Sequence, residues 1–344
     1  VSEATPHPRR RFARGLAIAY VVALLIVIAM FRFIGERNWL VTVALYLPRA
    51  GFFLPLPFVL GALVVSRQGL HAIGVTVVSA YLVLFPLMGY QLSGHESSAP
   101  KSIRVMSWNT FLGRIDNEGI FRKVKEEQPD VFVSQATGHR TKELFRADPG
   151  GYTIEVDDEF LLVTRFHVVD KSFSAPFPDD PNHRPNFVRY TLDTPFGLVD
   201  LFSVHPRSPR SGLEQFRGRG LKTRILEGDS PDPGETIERN TALRRRQVDA
   251  LLDAMRAAKH PILVAGDTNL PVLSWLFHHA FGDMRDGFSD VGQGFGYSFP
   301  AKRPWMRIDR VLADRSFRFL RFWTGTKIAS DHDYVVAELT RESP

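Results

Sequence analysis

Seven side chains from residue 109 onward could share one chemistry: Asn109, His205, Asp267, Asn269, Asp309, Asp331 and His332. Carboxylate and amide oxygens are hard ligands that suit Mg²⁺ or Mn²⁺. Imidazoles suit proton transfer or stabilisation of phosphate oxygens. Each residue alone has a plainer use, because Asp and Asn close turns and a lone histidine commonly serves packing. Their recurrence beside the ends of short apolar runs points to a single assembled site.

Those runs read as strands. Ile103–Trp108 precedes Asn109, and Leu198–Val204, reached from Phe187–Leu192 through the turn Pro195-Phe196-Gly197, precedes His205. Ile262–Ala265 leads into Gly266-Asp267-Thr268-Asn269, while Arg307–Leu312 contains Asp309 and Tyr334–Leu339 follows His332. Asp130–Ser134 and Phe160–Thr164 are further strands. Helical spacing predicts Ile120–Glu127, stopped by Pro129, and Thr241–Ala258 with Leu243, Val248, Leu251, Leu252 and Met255 on its apolar face. Many strands with few intervening helices disfavour a doubly wound sheet and fit two packed sheets with peripheral helices. Gly292, Gly294 and Gly296 lack the strand-to-helix setting of a nucleotide fingerprint and read as a flexible loop.

The runs Arg104-Val105-Met106-Ser107-Trp108-Asn109, Val264-Ala265-Gly266-Asp267-Thr268-Asn269, Arg307-Ile308-Asp309 and Ser330-Asp331-His332-Asp333 resemble the endonuclease/exonuclease/phosphatase superfamily. Pro129–Gln135 resembles its second strand and Ser203-Val204-His205-Pro206 its histidine strand. The resemblance spans about residues 101–340. It implies a four-layered α/β sandwich, two mixed sheets flanked by helices, and divalent-metal-dependent phosphoester hydrolysis. It further implies that His332, oriented by Asp309, works on the scissile phosphate or helps deprotonate water, and that Asp267 positions or activates that water. Asn269 and His205 would bind non-bridging phosphate oxygens, with Asn109 and Asp331 beside the metal. One position departs from the pattern. Where the family carries Gln-Glu, with the glutamate as principal metal ligand, this chain has Gln135-Ala136. Gln135, Thr137, His139, Asp116 and Glu159 are the neighbouring candidates for a replacement oxygen or nitrogen.

Residues 1–100 hold eight Arg/Lys against three Asp/Glu, whereas the remainder holds 35 against 34. Nearly all the excess positive charge thus lies in the apolar part, where it would orient segments in a bilayer and not bind a duplex. Cysteine is absent, which excludes disulfides, thiolate ligands and a cysteine nucleophile. Three transmembrane segments are expected within residues 1–92, at about 12–34, 40–66 and 70–91, the middle one broken by prolines. Arg9, Arg10, Arg11, Arg14 and Arg67 would stay cytoplasmic and place the catalytic domain, 101–341, outside the cytoplasm beyond a tether at 93–100.

An anchored phosphoesterase has substrates near at hand in the membrane. The leading expectation is a phosphodiesterase acting on a phospholipid or lipid-linked phosphate, with membrane lipids as partners and nucleic acid the less favoured substrate. Arg207 and Arg210 begin a basic segment, continued by Arg217, Arg219, Lys222 and Arg224, that would attract anionic headgroups. Tyr297 and Trp305, in Gly294–Pro300 and Pro304–Met306, would form an apolar rim. A membrane-tethered nuclease and a non-catalytic phosphate-binding protein are the alternatives.

Overall fold

The computed structural model describes residues 8–92, 94–178, 180, 183–213, 233–325 and 329–342. The basic residues 217–224 of the expected substrate segment lie outside them. The chain divides into two compact units, Val1–Tyr90 with Leu273–Trp275, and Gln91–Val272 with Leu276–Pro344.

In the first unit, α1 (Pro8–Ala29) continues through tighter and wider turns to Arg37, giving 30 residues of high hydropathy. α2 (Trp39–Leu45) starts where the Asn38 side chain accepts from Leu40 N and Val41 N, satisfying two of the orphan donors at a helix start. Pro48 ends it, and Arg49–Phe53 forms a 3₁₀ turn before α3 (Leu56–Val65). α4 (Gly69–Leu82) runs on to Leu87. Pro8–Arg37 and Gly69–Leu87 are long and apolar enough to cross a membrane, and Trp39–Leu45 with Arg49–Val65 makes a third if this pair, bent by 96°, is one span. The buried Arg49 sits at the bend and donates to Leu87 O at 2.6 Å and Leu45 O at 3.4 Å, carbonyls that helix ends leave unpaired. At the opposite end, Ser66 and Gln68 donate to Arg9 O and Arg10 O. The turn carrying Arg67 therefore lies beside the basic start of α1.

The second unit contains β1 (Ile103–Asn109), α5 (Asn117–Glu127), β2 (Val131–Gln135), α6 (His139–Ala147), β3 (Thr153–Asp157), β4 (Phe160–Thr164), β5 (His167–Phe173), β6 (Phe187–Thr194) and β7 (Gly197–Val204). There follow α7 (Arg210–Leu213), α8 (Pro233–Arg256), β8 (Ile262–Asp267), α9 (Trp275–Phe281), β9 (Arg285–Asp286), α10 (Gly287–Val291), β10 (Asp309–Ala313), β11 (Phe317–Gly325) and β12 (Tyr334–Arg341). One sheet has the order β11-β12-β1-β2-β4-β3 and the other β5-β6-β7-β8-β10-β9. Each mixes parallel and antiparallel neighbours, with β1–β2 and β7–β8 parallel.

The sheets face one another across a dry core in which Val105, Val133 and Leu162 of the first meet Tyr190, Leu201 and Leu263 of the second. The outer face of the first sheet is covered by Ile120 and Val124 of α5 and Phe145 of α6. This is the expected four-layered arrangement. The stretch read as a tether is bonded to its own unit: Ser97 N donates to Leu320 O, Gln91 pairs with Gly294, and a Cβ on Gly94 would meet Val291 O at 2.2 Å. The glycine-rich loop is likewise packed, since a Cβ on Gly296 would fall 2.3 Å from the Phe288 ring.

Candidate active site

Parallel neighbours in each sheet deliver their C-terminal ends to the same edge of the sandwich, and the antiparallel partners begin there. Asn109 ends β1, His205 follows β7, Asp267 ends β8, Asp309 opens β10 and His332 precedes β12. Asp309 and Asp267 are direct cross-strand partners. Trp108 Nε1 donates to His332 O at 2.9 Å and Ser330 Oγ to Asn109 O at 2.6 Å, which fastens the His332 loop to the end of β1.

Asp267 is the hub. Its Oδ2 accepts from Asn109 Nδ2 at 2.9 Å and lies 3.7 Å from His205 Nε2 and 3.8 Å from His332 Nε2. Its Oδ1 accepts from Asn269 N at 2.8 Å. Both imidazoles are backed by a carboxylate on Nδ1, His332 by Asp309 at 2.8 Å and His205 by Glu159 at 3.0 Å. Glu159 also takes Arg184 Nη1 at 2.6 Å. Asn269, in the left-handed region with φ 52°, is held by its Nδ2 on Pro206 O and by Arg244 on its own carbonyl.

The Glu159 pairing decides among the neighbours of Ala136. Gln135 bridges Ser107 and Ser203 across the sheets, Thr137 donates to Ser134, Asp116 caps α5, and His139 is exposed beside Glu143. Only Glu159 reaches the site, and it does so as the partner of His205. Ala136 itself has φ 45°, with its carbonyl accepting from Leu112 N at 2.6 Å. Glu159 sits in a β3–β4 turn that carries no motif, so only its proximity to residue 136 singled it out. Arg184 gave no signal in the sequence.

The remaining expected residues divide. Arg210 stands at the rim, more than half exposed, 3.6 Å from Asp331 Oδ2 and over the Phe299 ring. Phe299 in turn packs against His332 with ring centroids 4.6 Å apart and the planes tilted by 39°. Arg207 is turned to the buried Asp180, at 2.9 Å. Tyr297 stacks on Phe295, and Trp305 N bonds Phe299 O, so these aromatics are half-buried parts of one folded hairpin.

Burial opposes the His332 imidazolium, but Asp309 and Asp267 outweigh it and hold the charged form up to about 9. Burial likewise opposes a charged His205, and Glu159 overrides it, raising that imidazole as well. Glu159 is lowered: burial raises it, while His205 and Arg184 together pull it down. Asp267 is raised by burial and then by Asp309, against the two histidines.

Ligand atoms of Asp267, Asp309 and His332 lie within 4.8 Å of one another. Asp309 Oδ1 and Asp331 Oδ1 are buried with no hydrogen-bond partner among the described residues. Buried anionic oxygens left unpaired are costly, and these hard donors fit a divalent cation despite Ala136.

Comparison with known proteins agrees. A family profile, the Endonuclease/Exonuclease/phosphatase family, matches residues 106–332. A truncated TDP2 from Caenorhabditis elegans superposes with a TM-score of 0.52 at 16% identity, covering 69% of this chain and 97% of that one. TDP2 from D. rerio, in complex with a single-stranded DNA product, gives 0.51 at 14%, covering 70% and 99%. An endonuclease/exonuclease/phosphatase from Bacteroides vulgatus gives 0.51 at 15%, covering 70% and 100%. No curated protein matches. At these identities the structural likeness speaks for the fold, and the profile covers well over half the chain: the protein belongs to the endonuclease/exonuclease/phosphatase family, whose members are typically metal-dependent hydrolases of phosphoesters.

Proposed function

We propose that the chain is a divalent-cation-dependent phosphodiesterase acting on a phospholipid or lipid-linked phosphate, with its catalytic unit outside the cytoplasm. The observation that carries the hydrolytic reading is the convergence of two carboxylate-backed imidazoles on one buried carboxylate, 3.7 and 3.8 Å from Asp267 Oδ2. Asp267 receives the proton of the attacking water. His332 and His205, each favoured as the imidazolium by the carboxylate on its Nδ1, present Nε2–H donors to the phosphate oxygens. Asn269 and Arg210 add donors for non-bridging oxygens. Asp309, Asp331 and Asn109 would hold the cation, Mg²⁺ or Mn²⁺, which supplies charge neutralisation at the phosphate.

Two features favour a lipid over a nucleic acid. The same chain carries helices able to cross a membrane, and the loop after Asn109 exposes Leu112 and Ile115, apolar side chains that suit acyl chains better than a phosphate backbone. The side assignment is supported by the Arg67 turn lying against Arg9 and Arg10, which sends α4 away from the basic end.

The test is a metal titration of turnover on phospholipid vesicles, short DNA and phosphomonoesters, with wild type, Ala136→Glu and Asp267→Ala. Lipid turnover should require the cation and fall at least about 100-fold in Asp267→Ala. Ala136→Glu should tighten the cation, because it restores a hard anionic ligand. Preferred cleavage of DNA would replace the lipid reading with the nuclease. Cation-independent turnover would remove the metal from the mechanism.

A further inference from the structure

Within the first unit, α1 and α4 leave a groove of about 580 Å³ between them. Its walls are Ala17, Val21, Gly74, Val75 and Val78, and Arg14 and His71 stand at one end. The lining is almost wholly apolar, so water gains nothing by filling it. From Arg14 to Val22 the groove follows nine residues of α1, a rise of about 12 Å. That is most of the roughly 15 Å of hydrocarbon in one leaflet.

The cation at its end is fixed in place. Arg14 Nε donates to Gln68 Oε1 at 2.6 Å, and the buried Gln68 donates in turn to Arg10 O at 3.2 Å. Among the described residues no carboxylate pairs with Arg14. Arg9, Arg10 and Arg11 precede Arg14 on α1, the turn carrying Arg67 is bonded to the Arg9 and Arg10 carbonyls, and between residues 4 and 95 the one acidic residue is Glu36, far along the helix. A groove one leaflet deep, apolar along its length and cationic at its mouth, has the complementary shape and charge of a single phospholipid.

We infer that this groove holds one anionic phospholipid, an acyl chain between α1 and α4 and its phosphate against Arg14 and His71. The site rests on α1 and α4 crossing a bilayer and stands apart from the catalytic reading. It would make this unit select the composition of its own lipid shell.

The test uses the full chain in mild detergent with equal amounts of phosphatidylglycerol and phosphatidylcholine, bound lipid being counted by native mass spectrometry. Wild type should retain one phosphatidylglycerol, with a preference of about fivefold over phosphatidylcholine. Arg14→Gln should reduce that preference to parity. An added Cβ at Gly74 meets nothing within 4 Å, so Gly74→Phe can enter the groove without disturbing the helix and should displace both lipids; Gly74→Leu should do so in part. Equal retention of the two lipids by wild type, or unchanged retention in both Gly74 variants, overturns the proposal. Loss of lipid with appearance of a dimer mass would give the groove to a second copy instead. Asp267→Ala should keep the retained lipid, and its loss there would place that lipid in the catalytic unit.

Discussion

An imidazole taken out of water ordinarily gives up its proton more easily, so a His332 that stays charged to about 9 measures how strongly Asp309 and Asp267 act on it. The sign follows from the direction: a folded value above the ordinary 6.5 means the cationic interaction is complete below that range and disappears as pH rises through about 9. Turnover should therefore fall along an alkaline limb near 9, with thermal stability declining over the same window. Asp309→Asn should move the limb toward the ordinary histidine range in a pH–rate profile; an unmoved limb would assign it to another group. Much at this scale was legible. Asn109, His205, Asp267, Asn269, Asp309 and His332 were readable because each follows or opens an apolar strand, and the structure brings all six together. Glu159 as the partner of His205, and Arg184 as the partner of Glu159, were not readable, because a turn residue and an isolated arginine acquire meaning only when the fold closes. Arg207 illustrates the converse: its charge is plain in sequence, while its commitment to Asp180 is not.

At the scale of elements, the central strands announce themselves and the margins do not. β3, β5, β9 and β11 lacked a usable pattern, and these four are the edges of the two sheets. An edge strand is wet on one side and often on both faces, so Thr153–Asp157 and His167–Phe173 carry charges where an inner strand carries Val and Leu. α6 escaped for a similar reason, with only Thr141 and Phe145 buried along its length. The close fit of the inner strands is visible at Gly266, with φ 154° and a Cβ that would fall 2.1 Å from Val204 O. Gly266→Ala should push β8 from β7, costing about 1–3 kcal/mol. Calorimetry should show a lowered melting temperature, and turnover should drop because Asp267 is the next residue. An alanine there with wild-type melting would show that the strands separate more easily than this packing allows.

Over the whole molecule, charge is partitioned: the apolar unit carries the surplus of arginine and the second unit is almost neutral. The placement of Arg67 beside Arg9 and Arg10 predicts that a reporter fused after Pro344 will be active outside the cytoplasm, and one fused after Ser66 inside it. Reversed activities would put the catalytic unit in the cytoplasm.

The active site has no single foundation. His332 and Asn109 ride on one sheet while Asp309, Asp267 and His205 ride on the other, so both the His332–Asp309 and the Asn109–Asp267 hydrogen bonds cross the seam. The two sheets act as jaws of a caliper, and the gap between them is set by the side chains packed behind the site. A small slip along that seam would misalign the hydrogen-bond pairs together, and a displacement of 1 Å can cost roughly 100-fold in rate. Leu201→Ala, in the layer between the jaws, should therefore lower kcat more than about tenfold at temperatures where the protein remains folded. Val124→Ala, which loosens α5 against an outer face, should leave kcat within about twofold for a comparable loss of stability. Equal effects on kcat would mean that the site is held by its own loops and not by the spacing of the sheets.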